Sequence, residues 1–155
     1  MNGAAGVGFV RSYTVVSRPS LVPEIALYAA DDPSPLWHAT QELLDVHDLD
    51  APYWAFAWAG GQVLARYILD HPQLVRGRNV LDFATGSGLV GIAAKMAGAA
   101  RVRGVDIDAL AIEAVSANCD LNSVTIEASV VDVVGQRCDA WDVVAAGDVF
   151  YDRAF

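Results

Sequence analysis

The second half of the chain alternates two kinds of apolar pattern. From residue 78 onward, short apolar runs of strand length alternate with longer segments in which apolar positions recur at helical spacing. The predicted strands cover 78–83, 101–106, 124–131 and 141–146, and the predicted helices cover 88–97 and 109–118. Strands that alternate with helices favour a parallel sheet joined by right-handed crossovers. We therefore predict an α/β, Rossmann-like fold with a mostly parallel sheet and helices on both of its faces.

The first third of the chain predicts a small N-terminal annex. Alternating polarity predicts a strand over 11–17, a turn follows at 21–25, and a helix covers 35–46. We expect this annex (1–51) to precede one cofactor-binding domain (52–155).

An aromatic segment opens that domain. Residues 52–61 form an aromatic loop that leads into a helix ending before Pro72. Four apolar side chains of this helix share one face: Val63, Leu64, Tyr67 and Ile68.

The most informative motif is a glycine turn within Val80–Gly91. An apolar strand ends near Asp82, and a helix begins after Gly88. Gly86 and Gly88 permit backbone angles that other residues avoid, and they let a ligand approach the chain closely. The helix that follows offers unpaired N–H groups and a partial positive charge at its amino end. This layout is typical of a site for a nucleotide-type cofactor.

Two cofactors fit such a turn, and charge separates them. The spacing Gly86-x-Gly88-x-x-Gly91, with Asp106 twenty residues after Gly86, also matches the dinucleotide fingerprint. A dinucleotide places a pyrophosphate at this turn, where Asp82 repels it. S-adenosylmethionine instead carries a cationic sulfonium and an amino group, which a carboxylate attracts. Asp82 therefore favours S-adenosylmethionine, and hydrogen bonding to loop amides is its alternative role.

Carboxylates lie at the carboxyl ends of all four predicted strands: Asp82, Asp106, Asp132 and Asp148. These strand ends form the ligand-binding edge of an open α/β sheet. We expect Asp106 to accept hydrogen bonds from both ribose hydroxyls and Asp132 to accept one from the adenine amino group. Ile107 is expected to lie along the adenine face. The alternative is a turn role for Asp106 and Asp132, and plain packing for Ile107.

Asp148 and Tyr151 lie three residues apart beyond the last predicted strand. We expect this carboxylate and phenol to face a substrate amine near the methyl group, so they are the candidate catalytic residues. The alternative is a loop in which Tyr151 only packs. Asp108, by contrast, is expected to cap the helix that follows it.

Composition narrows the function classes. The 155-residue chain has a net charge of −9 and a single lysine, Lys95, so we expect no basic surface for nucleic acid. Gly, Asp or Arg interrupt the longest apolar stretches, so we expect no membrane span. Cys119 and Cys138 form neither a disulfide framework nor a metal-ligand cluster. We therefore expect a cytoplasmic protein without a metal.

Three segments resemble those of a known family: 52–62, 80–91 and the tetrad 148–151. They are similar to seven-strand S-adenosylmethionine-dependent methyltransferases, and in particular to the electron transfer flavoprotein beta subunit lysine methyltransferases and their bacterial relatives. The resemblance implies methyl transfer to a protein lysine, with Asp148 and Tyr151 on the substrate side. It also implies the electron transfer flavoprotein beta subunit as a candidate partner.

The resemblance extends the candidate cofactor site. Ala84 stands where many members of the family carry the first glycine of the run, and it is small enough to serve there. Trp54 and Trp58 are expected to wall the channel for the cofactor or the lysine, and burial in the core is the alternative for such rings.

The family continues through a helix and three further strands, in the usual order 3-2-1-4-5-7-6. Phe155 lies just beyond the fourth predicted strand, so we expect a sheet truncated there, with 141–146 as a bare apolar edge. Such an edge pairs readily with another chain, which predicts a homodimer or impaired stability. Two alternatives to an active enzyme stay open: a cofactor- or partner-binding remnant without turnover, and an NAD-dependent oxidoreductase domain.

Overall fold

The order of elements from residue 79 onward follows the predicted alternation. A computed structural model describes residues 3–31, 51–137 and 139–149. Its elements are α1 (Gly3–Tyr13), β1 (Val15–Ser17), β2 (Leu27–Ala29), α2 (Ala59–Asp70), β3 (Asn79–Phe83), α3 (Leu89–Met96), β4 (Arg101–Asp106), α4 (Ala109–Asn122), β5 (Glu127–Val130) and β6 (Val143–Ala146). Single-turn 3-10 helices at Tyr53–Ala55 and Pro72–Leu74 precede α2 and β3.

Four parallel strands form the main sheet, in the order β5-β4-β3-β6. β3 lies between β4 and β6, and its Val80 is in register with Val102 on one side and Val143 on the other. β1 and β2 pair antiparallel as a separate hairpin. The predicted parallel sheet is confirmed, in the order expected for its four strands.

Helices α2, α3 and α4 share one face of this sheet, and α1 packs against α4. The steps from β3 to β4 and from β4 to β5 run in one direction, so right-handed crossovers place α3 and α4 on the same side. α2 and α3 pack there against Val80, Val102 and Ala145. The connection from β5 to β6 runs along the sheet in the opposite direction. The described residues of this connection form no helix. The predicted helix layer on the second face therefore has no counterpart in the described part of the chain.

The prediction for the N-terminus needs correction. Residues 11–13 close helix α1, and the strand is confined to Val15–Ser17. Glycine-rich Gly3–Gly8 has little intrinsic helix preference, but α1 packs on α4, and its Val10 is fully buried there. Tertiary packing thus decides this helix, which the local pattern could not reveal. The predicted helix over 35–46 lies outside the described residues.

Two glycines of α1 test this packing. An added Cβ at Gly8 meets no atom within 4 Å, whereas one at Gly6 would lie 2.5 Å from Cγ of Glu113 on α4. Gly8→Ala is therefore expected to raise the free energy of unfolding by about 1 kcal/mol, as alanine replaces glycine in a helix. Gly6→Ala is expected to raise the free energy of unfolding by less, or to lower it. Urea unfolding of both variants measures these changes. Equal gains in both variants would contradict the close contact with α4.

The buried face of α2 differs from the predicted one. Ala65 and Ile68 are buried, whereas Val63 and Tyr67 are 57% and 51% exposed. The small Ala65 lets α2 lie close to α3, and this contact turns the larger side chains outward. Among the described residues, no helix is long and apolar enough to cross a membrane.

Candidate functional site

A pocket lies where the strand order reverses, between the carboxyl ends of β3 and β6. Its lining comes from three segments: 53–61, which carries the aromatic rings; 82–90, which contains the glycine turn; and 147–148, after β6. Ligands of open α/β sheets bind at such a reversal because the loops on its two sides diverge. Five predicted site residues line this pocket: Trp58, Asp82, Ala84, Gly86 and Asp148.

The turn from β3 to α3 uses the left-handed backbone region repeatedly. Gly86 has φ of 50° and Gly88 has φ of 81°. A Cβ on Gly88 would lie 3.2 Å from Val115 of α4, so this glycine serves packing as well as conformation. Gly86 lines the pocket and leaves its backbone accessible there.

Ala84 adopts the same left-handed region without being a glycine, at φ of 49°. A Cβ in this conformation is strained by roughly 1 kcal/mol. Ala84→Gly is therefore expected to raise the free energy of unfolding by up to about 1 kcal/mol, less the entropy that glycine adds to the unfolded chain. Thermal unfolding measures the change. A clear loss of stability would contradict the strain at this position.

Asp82 lies beneath the turn and is 2% exposed. Its Oδ2 accepts hydrogen bonds from Oγ1 of Thr85 at 2.5 Å and from the backbone N–H of Gly91 at 2.9 Å. Burial raises the pKa of Asp82 from 3.8 to about 7; the Asp106 carboxylate adds to the rise, and the two hydrogen bonds oppose it. Burial therefore disfavours the charge of Asp82, and a cationic ligand in the pocket would favour it.

Asp106 holds the glycine turn from the neighbouring strand. Its Oδ2 accepts from the N–H of Gly86 at 2.9 Å, and its Oδ1 accepts from the N–H of Asp108 at 3.1 Å. Asp108 caps α4 by accepting from Leu110 N–H at 2.7 Å, which confirms its predicted role. Ile107 is 65% exposed beside them. The ribose and adenine roles of Asp106 and Ile107 stay predictions.

Asp132 follows β5 at the same sheet edge and is exposed. Its Oδ1 accepts from the N–H of Val134 at 2.9 Å, so the side chain forms a local turn. This bond is the alternative role foreseen for it. Like Asp106, Ile107 and Gly88, it is not part of the pocket lining.

Three aromatic rings form one wall of the pocket. The Trp58 ring lies 5.6 Å from that of Phe56 and 6.2 Å from that of Tyr53, measured between centroids. Trp58 Nε1 donates to the carbonyl of Tyr53 at 2.9 Å, which fixes its exposed ring. Trp54, expected to wall the same channel, is instead buried between α1 and α4. This correction follows from the 3-10 turn, in which side chains three residues apart share a side, so Tyr53 and Phe56 reach the pocket and Trp54 does not.

Asp148 closes the pocket on the β6 side and also caps α2. Its carboxylate accepts from the N–H of Gly60 at 2.9 Å and from the N–H of Gly61 at 2.5 Å. α2 has Trp58 at its N-cap and no side-chain cap of its own, so Asp148 satisfies two N–H groups that the helix leaves unpaired. Sequence reasoning missed this contact, although the glycine pair at a helix start was a visible sign of close approach. Tyr151 lies outside the described residues.

The charges and rings of the pocket suit a cationic group. Two carboxylates, Asp82 and Asp148, line it together with the aromatic wall. Carboxylates attract cations by charge, and aromatic faces attract them by their quadrupole. The described residues contain no cluster of metal-ligating side chains.

Comparison with known proteins decides the family. The sequence profile of the family described as ribosomal protein L11 methyltransferase (PrmA) matches residues 64–147, more than half of the chain. The chain belongs to this methyltransferase family. The match runs from α2 through the glycine turn to the residue before Asp148, so it contains most of the candidate cofactor site.

Similar curated proteins are also methyltransferases by name. The chain is 42% identical over 140 residues to the electron transfer flavoprotein beta subunit lysine methyltransferase of Homo sapiens, covering 90% of the chain and 52% of the relative. The corresponding Danio rerio protein is 41% identical, covering 90% and 54%. The chain thus spans about half the length of these curated relatives. The family resemblance predicted from sequence is confirmed.

A solved methyltransferase structure shares the fold. The ribosomal protein L11 methylase from Lactobacillus delbrueckii subsp. bulgaricus superposes with a TM-score of 0.51 at 27% identity. The superposition covers 59% of this chain and 47% of the other. The Rossmann-like methyltransferase fold predicted from the sequence is therefore confirmed.

Proposed function

We propose that the pocket binds S-adenosylmethionine and that the protein transfers its methyl group to lysine side chains of a protein substrate. The observation that carries this proposal is Asp82, a buried carboxylate under the glycine turn that lines the pocket together with the aromatic wall. A pyrophosphate would be repelled there, whereas a sulfonium and an ammonium group are attracted. The same charge argument disfavours an NAD-dependent oxidoreductase.

The residues of the sheet edge fit the parts of this cofactor. When bound, S-adenosylmethionine supplies an electrophilic methyl group on its sulfonium. Asp82 would stabilise the cationic methionine end, and Gly86 would let that end approach the backbone. Asp106 would accept from the ribose hydroxyls, Ile107 would pack on the adenine, and Asp132 would accept from its amino group. Gly88 and Ala84 support the turn that holds these parts together.

The acceptor amine needs orientation and loss of a proton. A lysine has a reference pKa of about 10.4 and must be neutral to attack. The rings of Trp58, Phe56 and Tyr53 would displace water from an amine held among them, which lowers the pKa of the amine and favours release of its proton to solvent. Asp148 and Tyr151 would orient the nitrogen by hydrogen bonds for in-line attack on the methyl group.

We further propose a protein substrate like that named for the curated relatives, the electron transfer flavoprotein beta subunit. The chain's net charge of −9 opposes nucleic acid as the acceptor. In the test, the protein is incubated with isotopically labelled S-adenosylmethionine and one acceptor at a time. The acceptors are that subunit, ribosomal protein L11 and ribosomal RNA. Label in lysines of a protein supports the proposal. Label in RNA alone, or no label although the cofactor binds, would overturn it; the second result identifies a remnant without turnover.

The edge of β6 leads to a proposal about assembly. No strand among the described residues pairs with the outer side of β6, and its Val144 is 51% exposed. Near the end of β6, Val63 and Tyr67 of α2 line an open apolar pocket with Ala146. We propose that a second copy of the chain pairs with this edge. Size-exclusion chromatography with light scattering should show a dimer that Val144→Lys dissociates, and a monomeric unmodified chain would contradict the proposal.

We also propose that the protein is cytoplasmic. Cys119 is a free, buried thiol. Such a thiol suits a reducing compartment. Fluorescence microscopy of the tagged protein in its native cell tests this location, and a signal confined to another compartment would contradict it.

A further inference from the structure

We propose that Asn118 of α4 is a positioning residue that fixes the glycine turn relative to the aromatic wall. This inference rests on the proposed function of the pocket. The Asn118 side chain is fully buried. Its Nδ2 donates to the carbonyl of Ser87 at 2.8 Å, and its Oδ1 accepts from the N–H of Tyr28 at 2.7 Å. One amide therefore joins the turn to strand β2.

Ser87 places one end of this connection at the pocket itself. It lies between Gly86 and Gly88 in the turn, lines the pocket and is 6% exposed. A displacement of the Ser87 carbonyl moves the backbone that the cofactor approaches. Inside the protein, a donor to this carbonyl is needed because a buried unpaired carbonyl is costly.

The other end of the connection reaches the aromatic segment. Tyr28 belongs to β2, and just after this strand the N–H of Ala30 donates to the carbonyl of Ala55 at 2.9 Å. Ala55 is fully buried and lies between Tyr53 and Phe56, whose rings form part of the wall. Asn118 thus sets the spacing between the two sides of the pocket from behind, without touching the space between them.

Asn122, one turn later on α4, provides a matched control. Its Oδ1 accepts from the N–H of Ala26 at 2.9 Å, and its Nδ2 donates to the carbonyls of Ala26 and Asn118, both at 2.7 Å. It therefore holds the same N-terminal hairpin to the same helix but makes no contact with the turn. Replacing either asparagine loosens the hairpin, whereas only Asn118 also supports Ser87.

The test compares Asn118→Ala with Asn122→Ala in the full chain. The expected result is a loss of S-adenosylmethionine affinity of about tenfold in Asn118→Ala and less than about threefold in Asn122→Ala. Amide hydrogen exchange of residues 84–89 should accelerate only in Asn118→Ala. If Asn118→Ala does not fold, Asn118→Ser takes its place, and failure of both to fold assigns Asn118 to the core and overturns the proposal.

Equal affinities and equal exchange in the two folded variants would also overturn it. The proposed function fails separately, if the unmodified protein does not bind S-adenosylmethionine at all. In that case the exchange of 84–89, which needs no ligand, still decides whether Asn118 positions the turn.

Discussion

Asp82→Asn is expected to weaken S-adenosylmethionine binding by about 100-fold, because it removes the buried carboxylate that attracts the cationic end of the donor. Asparagine has nearly the shape of aspartate. It keeps one carbonyl oxygen for the hydroxyl of Thr85 and the N–H of Gly91, so the turn keeps its hydrogen bonds. The loss of affinity therefore reports the charge of the Asp82 side chain rather than its shape. Isothermal titration calorimetry of both proteins gives the two affinities.

Asp139→Asn is the control for this change. It also removes one negative charge, but from an exposed pair with Arg137 at 2.8 Å, outside the pocket lining. Its affinity should equal that of the unmodified protein. An Asp82→Asn affinity within about threefold of the unmodified value would contradict the electrostatic role of Asp82.

The raised pKa of Asp82 makes binding dependent on pH. At pH values below about 7 the folded protein holds a proton on Asp82. A bound cation favours the ionised carboxylate, so binding releases that proton, and affinity should rise as pH rises from about 5.5 to about 7. Asp82→Asn should lack this dependence, which calorimetry in buffers of different ionisation enthalpy detects as missing proton release.

The same proton makes the free energy of unfolding depend on pH. Asp82 ionises near 3.8 in the unfolded chain and near 7 in the folded protein, so between these values the folded state holds the extra proton. The Asp82 contribution to the free energy of unfolding therefore falls between about pH 4 and about pH 7, by on the order of 4 kcal/mol, and then levels off. Urea unfolding of the unmodified protein and Asp82→Asn over this range isolates the contribution.

Asp148→Asn is expected to lower methyl transfer by on the order of 100-fold at saturating donor, because it misplaces the groups that orient the amine. Both carboxylate oxygens accept N–H groups at the start of α2. Asparagine directs an NH2 group at one of these two N–H groups, which then lacks its acceptor. The loss of this cap lowers the free energy of unfolding by about 1 kcal/mol. Single-turnover assays with labelled donor measure the first effect, and urea unfolding measures the second.

Two glycines provide controls that leave the charge of Asp148 intact. A Cβ at Gly60 would lie 2.6 Å from Asp148 Oδ1, whereas one at Gly61 would lie 3.5 Å from Oδ2. Gly60→Ala should therefore displace the carboxylate and impair transfer, and Gly61→Ala should be tolerated. Full methyl transfer by Asp148→Asn, with normal cofactor affinity, would contradict the orienting role of Asp148.

The sheet and its turn could be predicted because neighbouring residues determine them. β4 begins and ends at the predicted Arg101 and Asp106, and Asp108 caps the next helix as its position indicates. Trp58, Asp82 and Asp148 reach the pocket because they lie beside strand or helix ends that the topology brings together.

The features that the sequence pattern did not predict depend on contacts between segments that are distant along the chain. α1 exists because Val10 and Gly6 fit against α4, about a hundred residues away. The predicted annex also shares a core cluster with the main domain, in which Ile25 and Leu27 pack with residues of α2, α3 and α4. The cap of α2 by Asp148 and the bond from Asn118 to Ser87 likewise join segments that no local pattern relates. The division of the chain at residue 51 stays a prediction.

Calorimetric titration of the unmodified protein, with S-adenosylmethionine in one experiment and NAD in another, determines which cofactor the pocket binds. We expect saturable binding of one S-adenosylmethionine per chain, with proton release at a pH below that at which Asp82 ionises, and no binding of NAD. Binding of NAD without binding of S-adenosylmethionine, or binding of neither, would contradict this expectation.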